Sequence, residues 1–203
     1  MMYKLIKLLI LILISTTAKA EWRLGANIGF GGTGIASTSE INGVEIEVHR
    51  SDGPLAYSLS AERPLDEKTT LGVDLTKGVS LSPFSEGVSF MGVTYRWYYP
   101  NLMPSMVHSK TNSSTLLVQE WCPFIGPTMG LAQGTISRQK DLVSEVNASG
   151  IFIGLHTGVD YQMSPNVVSR TELASGMSIG SSSTVKSSLS EFVIQTGLYY
   201  ILD

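Results

Sequence analysis

The sequence predicts an all-β chain: a transmembrane, antiparallel, up-and-down β-barrel of eight strands, behind a removable export signal. Three observations lead there. Successive segments alternate between large apolar and small or polar residues with a period of two, which is the strand period and not the helical one. Aromatic residues on the apolar face gather at one end of these segments. Connections alternate between short polar turns and longer stretches rich in Ser, Gly and Thr.

The first residues stand apart. Lys4 and Lys7 precede an unbroken apolar run, Leu8 to Ile14, and Ala18-Lys19-Ala20 is a small-x-small cleavage site. Residues 1–20 are expected to be a signal peptide, and residues 21–203 one barrel domain, beginning at Glu21. The run is short of the roughly 20 apolar residues that anchor a helix in a membrane. No Cys follows the cut, which argues against a lipoprotein. The signal holds Lys4, Lys7 and Lys19 and no acid, which leaves 11 basic and 17 acidic side chains and a net charge of −6. No basic patch is present, so nucleic acid is not an expected partner. Cys122 is the only cysteine, so an intramolecular disulfide and a cysteine-based zinc site are excluded.

The strands follow in order. Trp22, Leu24, Ala26, Ile28 and Phe30 share one face, with Arg23, Gly25, Asn27 and Gly29 on the other. Leu55, Tyr57, Leu59 and Ala61 repeat the pattern. Pro64 to Lys68 is a turn, after which Leu71, Val73 and Leu75 oppose Gly72, Asp74 and Thr76. Met91, Val93, Tyr95, Trp97 and Tyr99 oppose Gly92, Thr94 and Arg96. A fifth strand covers Phe124 to Gln133 and a sixth Ile151 to Tyr161. Ser164-Pro165-Asn166 is a tight turn, followed by Val167 to Ser175 and a closing strand. Each has about the length that spans a bilayer when tilted. A greasy face too apolar for water and a second face too polar for a sandwich core are both satisfied by an apolar-out, polar-in barrel.

The connections fit two kinds of end. Residues 64–69 and 164–166 are short, whereas 32–54, 135–148 and 176–190 read as longer outer loops. Pro100 to Ser114 is long for a turn on the short side. Pro127 lies inside the fifth strand, where its missing N–H is expected to break the ladder unless a bulge intervenes. Val44 to Val48 and Thr115 to Trp121 read as rim extensions, with a ten-stranded barrel as the alternative.

Trp22, Trp97, Tyr99, Tyr161 and Tyr200 fall on the apolar face at one rim, an interfacial girdle. The polar face collects Arg23, Glu62, Asp74, Arg96, His156, Asp160, Arg170 and Glu172. Three arginines among four acids form an ionic network that fills a narrow lumen, since charges removed from water must be paired. The competing reading takes His156 as a general base with Asp160 two inward positions away. A turn centred on Pro165 sets Asp160 opposite Arg170, and one near Glu67 sets Glu62 opposite Gly72, which brings Asp74 toward Arg96. Cys122 reads as an inert buried thiol. Gly29 to Gly34 has no helix after it, so it is not a phosphate loop. The sequons at Asn112 and Asn147 are too common a pattern to carry weight.

In the last stretch, Phe192, Ile194, Leu198, Tyr200 and Leu202 share a face, with Gln195 and Gly197 on the other. Gln195, Gly197, Tyr200 and Leu202 resemble the closing-strand signal of bacterial outer-membrane barrels, shifted by one residue because Asp203 stands where those proteins usually carry an aromatic. Nearly the whole mature length resembles the family of small eight-stranded outer-membrane barrels. The resemblance implies residence in the cell outer membrane, contact with its lipid and lipopolysaccharide, delivery by the barrel-assembly machinery, and a monomer. Members of that family include structural barrels, adhesion-linked proteins and enzymes that edit lipopolysaccharide. The lipid A deacylases carry a His followed by Ser-Asn near an outer rim; here His156 is followed by Thr157-Gly158 inside a strand. The expected role is therefore structural or surface-interacting, without catalysis, cofactor or metal. The alternatives are a barrel enzyme acting on outer-membrane lipid and a soluble lipocalin-like binding barrel.

Overall fold

A computed structural model describes residues 22–41, 44–52, 55–79, 85–99, 121–136, 146–164, 166–181 and 185–202. The expected signal peptide and the stretches Pro100 to Ser114 and 115–120 lie outside these residues. Nine strands are described: β1 Trp22–Ile41, β2 Val44–Asp52, β3 Leu55–Pro64, β4 Thr69–Val79, β5 Ser85–Tyr98, β6 Trp121–Ile136, β7 Val146–Ser164, β8 Val167–Ser181 and β9 Val185–Leu202. They lie in the order β2-β1-β3-β4-β5-β6-β7-β8-β9, and β9 pairs back onto β1 to close the sheet.

The nine strands make eight staves. β3 pairs with Arg23 to Phe30 of β1, and β2 pairs with Thr33 to Ile41 above it. β2 and β3 thus belong to one stave, both lying along the same side of β1. The segment Val44 to Val48 lies within β2 and extends the rim, and the barrel is eight-stranded, not ten. All pairings are antiparallel, and the two turn-set registers occur as expected, Asp160 opposite Arg170 and Glu62 opposite Gly72.

The expected long outer loops are largely strand. β1 continues to Ile41, β6 to Ile136 and β8 to Ser181, while β7 starts at Val146 and β9 at Val185. Ser, Gly and Thr signal loops locally, yet a strand with a paired neighbour on each side carries such residues on through the ladder, because strand preference depends on context.

Alternation sorts the side chains. Leu24, Ile28 and Phe30 are 48%, 59% and 73% exposed, while Arg23 and Asn27 between them are buried. Leu59, Leu75, Ile125, Met129, Ile153, Met177, Ile194 and Leu198 continue an exposed apolar belt around the barrel. Such a belt far exceeds the apolar patches that soluble monomers leave in water.

The inside departs from the small, polar face that the alternation suggests. Val88, Phe90, Ala132, Phe152 and Leu189 form a buried apolar layer toward the loop end. Tyr98, Cys122 and Phe124 form one apolar cluster toward the turn end, and Val168, Tyr199 and Ile201 another. Charged residues lie between these layers. The physical reason is width: an eight-stranded barrel has room for side chains only, and large apolar groups fill that space without needing partners.

Candidate functional site

The centre of the lumen is Glu62, and neighbouring staves deliver its partners. Arg23 of β1 lies across from Glu62 of β3, which lies across from Gly72 of β4. On the far wall Asp160 of β7 lies across from Arg170 of β8, itself across from Gly197 of β9. A Cβ at Gly72 would stand 2.9 Å from Glu62 Cβ and one at Gly197 2.2 Å from Asn27 Oδ1, so these glycines leave room for their inward neighbours.

Arg170 joins the two walls. Its Nε donates to Asp160 Oδ1 at 2.6 Å and its Nη2 to Asp160 Oδ2 at 2.8 Å. It also donates through Nη1 and Nη2 to Glu62 Oε2 and Oε1, at 3.0 and 2.9 Å. Arg96 donates to Glu62 Oε2 and to Asp74 Oδ2, both at 2.9 Å. Planar guanidinium forks suit this bidentate sharing. Arg23 Nη1 lies 3.6 Å from Glu62 Oε1, so all three arginines surround one carboxylate. Glu62, Arg23 and Arg96 have no exposed surface.

Aromatic rings complete the layer. Tyr98 donates to Asp160 Oδ2 at 2.8 Å and accepts from Arg170 at 3.0 Å. The Arg170 guanidinium lies 3.9 Å from the Tyr199 ring centroid and 4.9 Å from that of Phe124, distances at which a cation is held by a ring face. A neutral chain continues from Tyr199: its hydroxyl donates to Ser60 at 3.0 Å and accepts from Asn27 at 2.9 Å. Asn27 also donates to Ser58, and Ser58 to Gln195. Gln195 donates in turn to Glu172.

His156 has a particular place. Tyr99 N–H donates to Pro123 O at 3.1 Å. Backbone groups of alternate residues address alternate neighbours, so Pro123, Ile125 and Pro127 face β5, while Cys122, Phe124 and Gly126 face β7. Both prolines therefore remove donors from the β5–β6 seam and none from the β6–β7 seam, whose pairing runs unbroken through them. The β5–β6 pairing skips Tyr95 and Arg96, so the ladder breaks beside Pro127 as expected, and it resumes in the same register without a bulge. The Tyr95 carbonyl that Pro127 cannot serve lies 3.4 Å from His156 Nε2. The other ring nitrogen, Nδ1, lies 3.7 Å from Glu172 Oε2. Gly126 permits the approach, since a Cβ there would stand 1.6 Å from the Tyr95 oxygen. His156 thus stands in for a missing backbone amide, with both nitrogens facing acceptors.

All eight residues of the expected network line the lumen and meet in this core. The girdle is elsewhere, on the exterior at the short-turn end. Trp97 pairs with Thr69, Tyr161 with Ser169, and Tyr200 with Val167 beside Asn166, while Trp22 pairs with Leu202. Trp97 and Tyr99 stack at 5.6 Å. The closing-strand residues divide between faces: Gln195 is buried in the core, Gly197 packs inward against Asn27, and Tyr200 and Leu202 point out. Sequence reasoning put Asn27 and Ser58 on the polar face without a role, and missed Tyr98, Tyr199, Phe124 and Glu191 inside and Trp121 outside, which lies 4.9 Å from Tyr161. Parity along the strands was the available signal. Tyr98 and Tyr199 adjoin outward aromatics, and the run of rings hid their inward direction.

A closed antiparallel barrel of eight staves is the fold of the small outer-membrane barrels. Solved structures share it. Neisserial surface protein A superposes with a TM-score of 0.55 at 16% identity, over 88% of this chain and 96% of that one. The N-terminal β-barrel domain of OprF from Pseudomonas aeruginosa gives 0.51 at 11% identity, over 88% and 97%. No family model matches the sequence. No curated protein matches it.

Proposed function

We propose that the protein is an integral barrel of the bacterial outer membrane with a structural or surface-contact role, plugged against conduction and without catalysis. The carrying observation is the filled lumen: a charged layer held between apolar layers, with Glu62 shared by three arginines. The belt and girdle support the membrane setting, since lipid admits strands only as closed barrels. His156 and Asp160, the candidate base and its partner, are each occupied by structural contacts, His156 with Tyr95 and Glu172 and Asp160 with Arg170 and Tyr98. Cell fractionation with a heat-modifiability gel tests location: the unheated protein is expected in the outer membrane with a mobility different from its boiled form. Recovery in the periplasm would overturn the reading. Planar-bilayer recordings test the plug. No steady open channel is expected, and a reproducible large conductance would refute it.

A further inference from the structure

The apolar outer face carries charge on two neighbouring strands. Inward Glu62 and Gly72 fix the parity of β3 and β4, with Leu59 and Leu75 exposed on the other side. Arg63 and Lys77 therefore belong to the outer face, and among the described residues no acid shares that face of a strand. Arg63 is at the turn end. It pairs with Leu71, which pairs with Tyr95. On its other side, the register that sets Arg23 opposite Glu62 brings Trp22 opposite Arg63 one step further on. Neighbouring strands are about 4.8 Å apart, so ring and guanidinium are direct neighbours. Arg63 thus stands within the girdle, between Trp22 and Tyr95, where rings mark the edge of the hydrocarbon.

Among the described residues nothing answers its charge. Arg63 is half-buried, and its Nε is buried without a hydrogen-bond partner. Glu62, the residue before it, points into the lumen and is taken by the arginines there. In the turn beyond, Asp66 accepts the Lys68 N–H at 2.7 Å, and Glu67 is exposed and forms no ion pair with Arg63. An arginine at such a level lays its stem along apolar surface and turns its head toward the headgroups. Its planar fork matches the oxygens of a phosphate, two at a time. We propose that Arg63 binds the phosphate of a phospholipid in the leaflet on the short-turn side, with Trp22 and Tyr95 flanking the headgroup. Lys77 stands roughly 20 Å along β4 from Leu71 and is no part of this site. The site exists only in the membrane setting of the preceding reading.

The full-length barrel, with isotope-labelled arginine nitrogens and inserted into vesicles of phosphatidylethanolamine and phosphatidylglycerol, tests this. Insertion is read first, from the heat-modifiable mobility. Nitrogen–phosphorus recoupling by solid-state NMR should then show guanidinium nitrogens beside lipid phosphorus, and Arg63→Gln should remove that part of the signal. If Arg63→Gln does not insert, Arg63→Lys serves, since it also removes the labelled fork while keeping the charge. In maltoside micelles with inorganic phosphate, the Arg63 contribution should be absent. A signal undiminished by the substitution overturns the inference and leaves the membrane setting intact. An equal signal from inorganic phosphate in micelles also overturns it, by making Arg63 a general anion site. A parent barrel that does not insert overturns both readings.

Discussion

Arg170 shows what one side chain does in this lumen. It bonds Asp160 and Glu62 at once and packs between two rings. Arg170→Met leaves Asp160 without its guanidinium partner in a low-dielectric interior, and should cost about 3–5 kcal/mol, the usual result of breaking a buried pair. Adding Asp160→Asn should recover part of that loss, because the stranded charge is removed. Urea unfolding in lipid vesicles measures both, and a double variant less stable than the single one would contradict the pairing. At the surface the electrostatics are of another kind. Asp66, in the exposed turn between β3 and β4, accepts the Lys68 N–H at 2.7 Å. That backbone bond, with further help from Thr69 and Lys68, holds its carboxyl below the ordinary value of 3.8. A depressed folded value contributes stability above the unfolded one, and the contribution is lost as pH falls through the folded one. Asp66→Asn should therefore lower stability near neutrality and converge with the parent protein as pH falls through the depressed value of the folded carboxyl. Acid melting curves of the two proteins give the comparison.

At the scale of the strand, β6 is the informative element. Two prolines in a strand with neighbours on both sides ordinarily argue against that strand. Here both direct their missing donors to β5, and His156 reaches across from β7 to the Tyr95 carbonyl that Pro127 leaves without an amide. Pro127→Ala restores an amide at that point. His156→Ala should then cost less in the Pro127→Ala background than in the parent, by on the order of 1 kcal/mol, one net hydrogen bond. A double-mutant cycle with no coupling would separate His156 from the seam. This relation was not legible in the sequence. Alternation tells which face a residue takes, but not which neighbour its backbone addresses, so Pro127 read as a defect and His156 as a possible base. The short turns were more legible, because a hairpin fixes register by counting, and Asp160 opposite Arg170 follows from the position of Pro165.

At the scale of the molecule, the eight staves and their closure were readable because every strand repeats the same alternation and the aromatics share one rim. The apolar layers inside were not, since a period of two assigns faces and says nothing of what fills a narrow interior. Depth along the outer face is testable. Ile153 lies between Met129 and Met177, well away from the girdle. Ile153→Arg should cost about 2–4 kcal/mol, and Trp22→Arg at the rim about 0–1 kcal/mol. Equal costs in vesicle unfolding would remove the lipid-facing assignment. The staves are also unequal: β1 has 20 residues and β9 has 18, whereas β4 has 11. At about 3.3 Å per residue and a tilt near 40°, the low side rises roughly 28 Å, close to the thickness of the hydrocarbon, and the side carrying β1 rises roughly 50 Å. Among the described strands the skyline is a slope instead of a level crown. In the proposed outer-membrane setting its crest stands some 20 Å beyond the hydrocarbon edge, so a macromolecule approaching from that side meets this flank first.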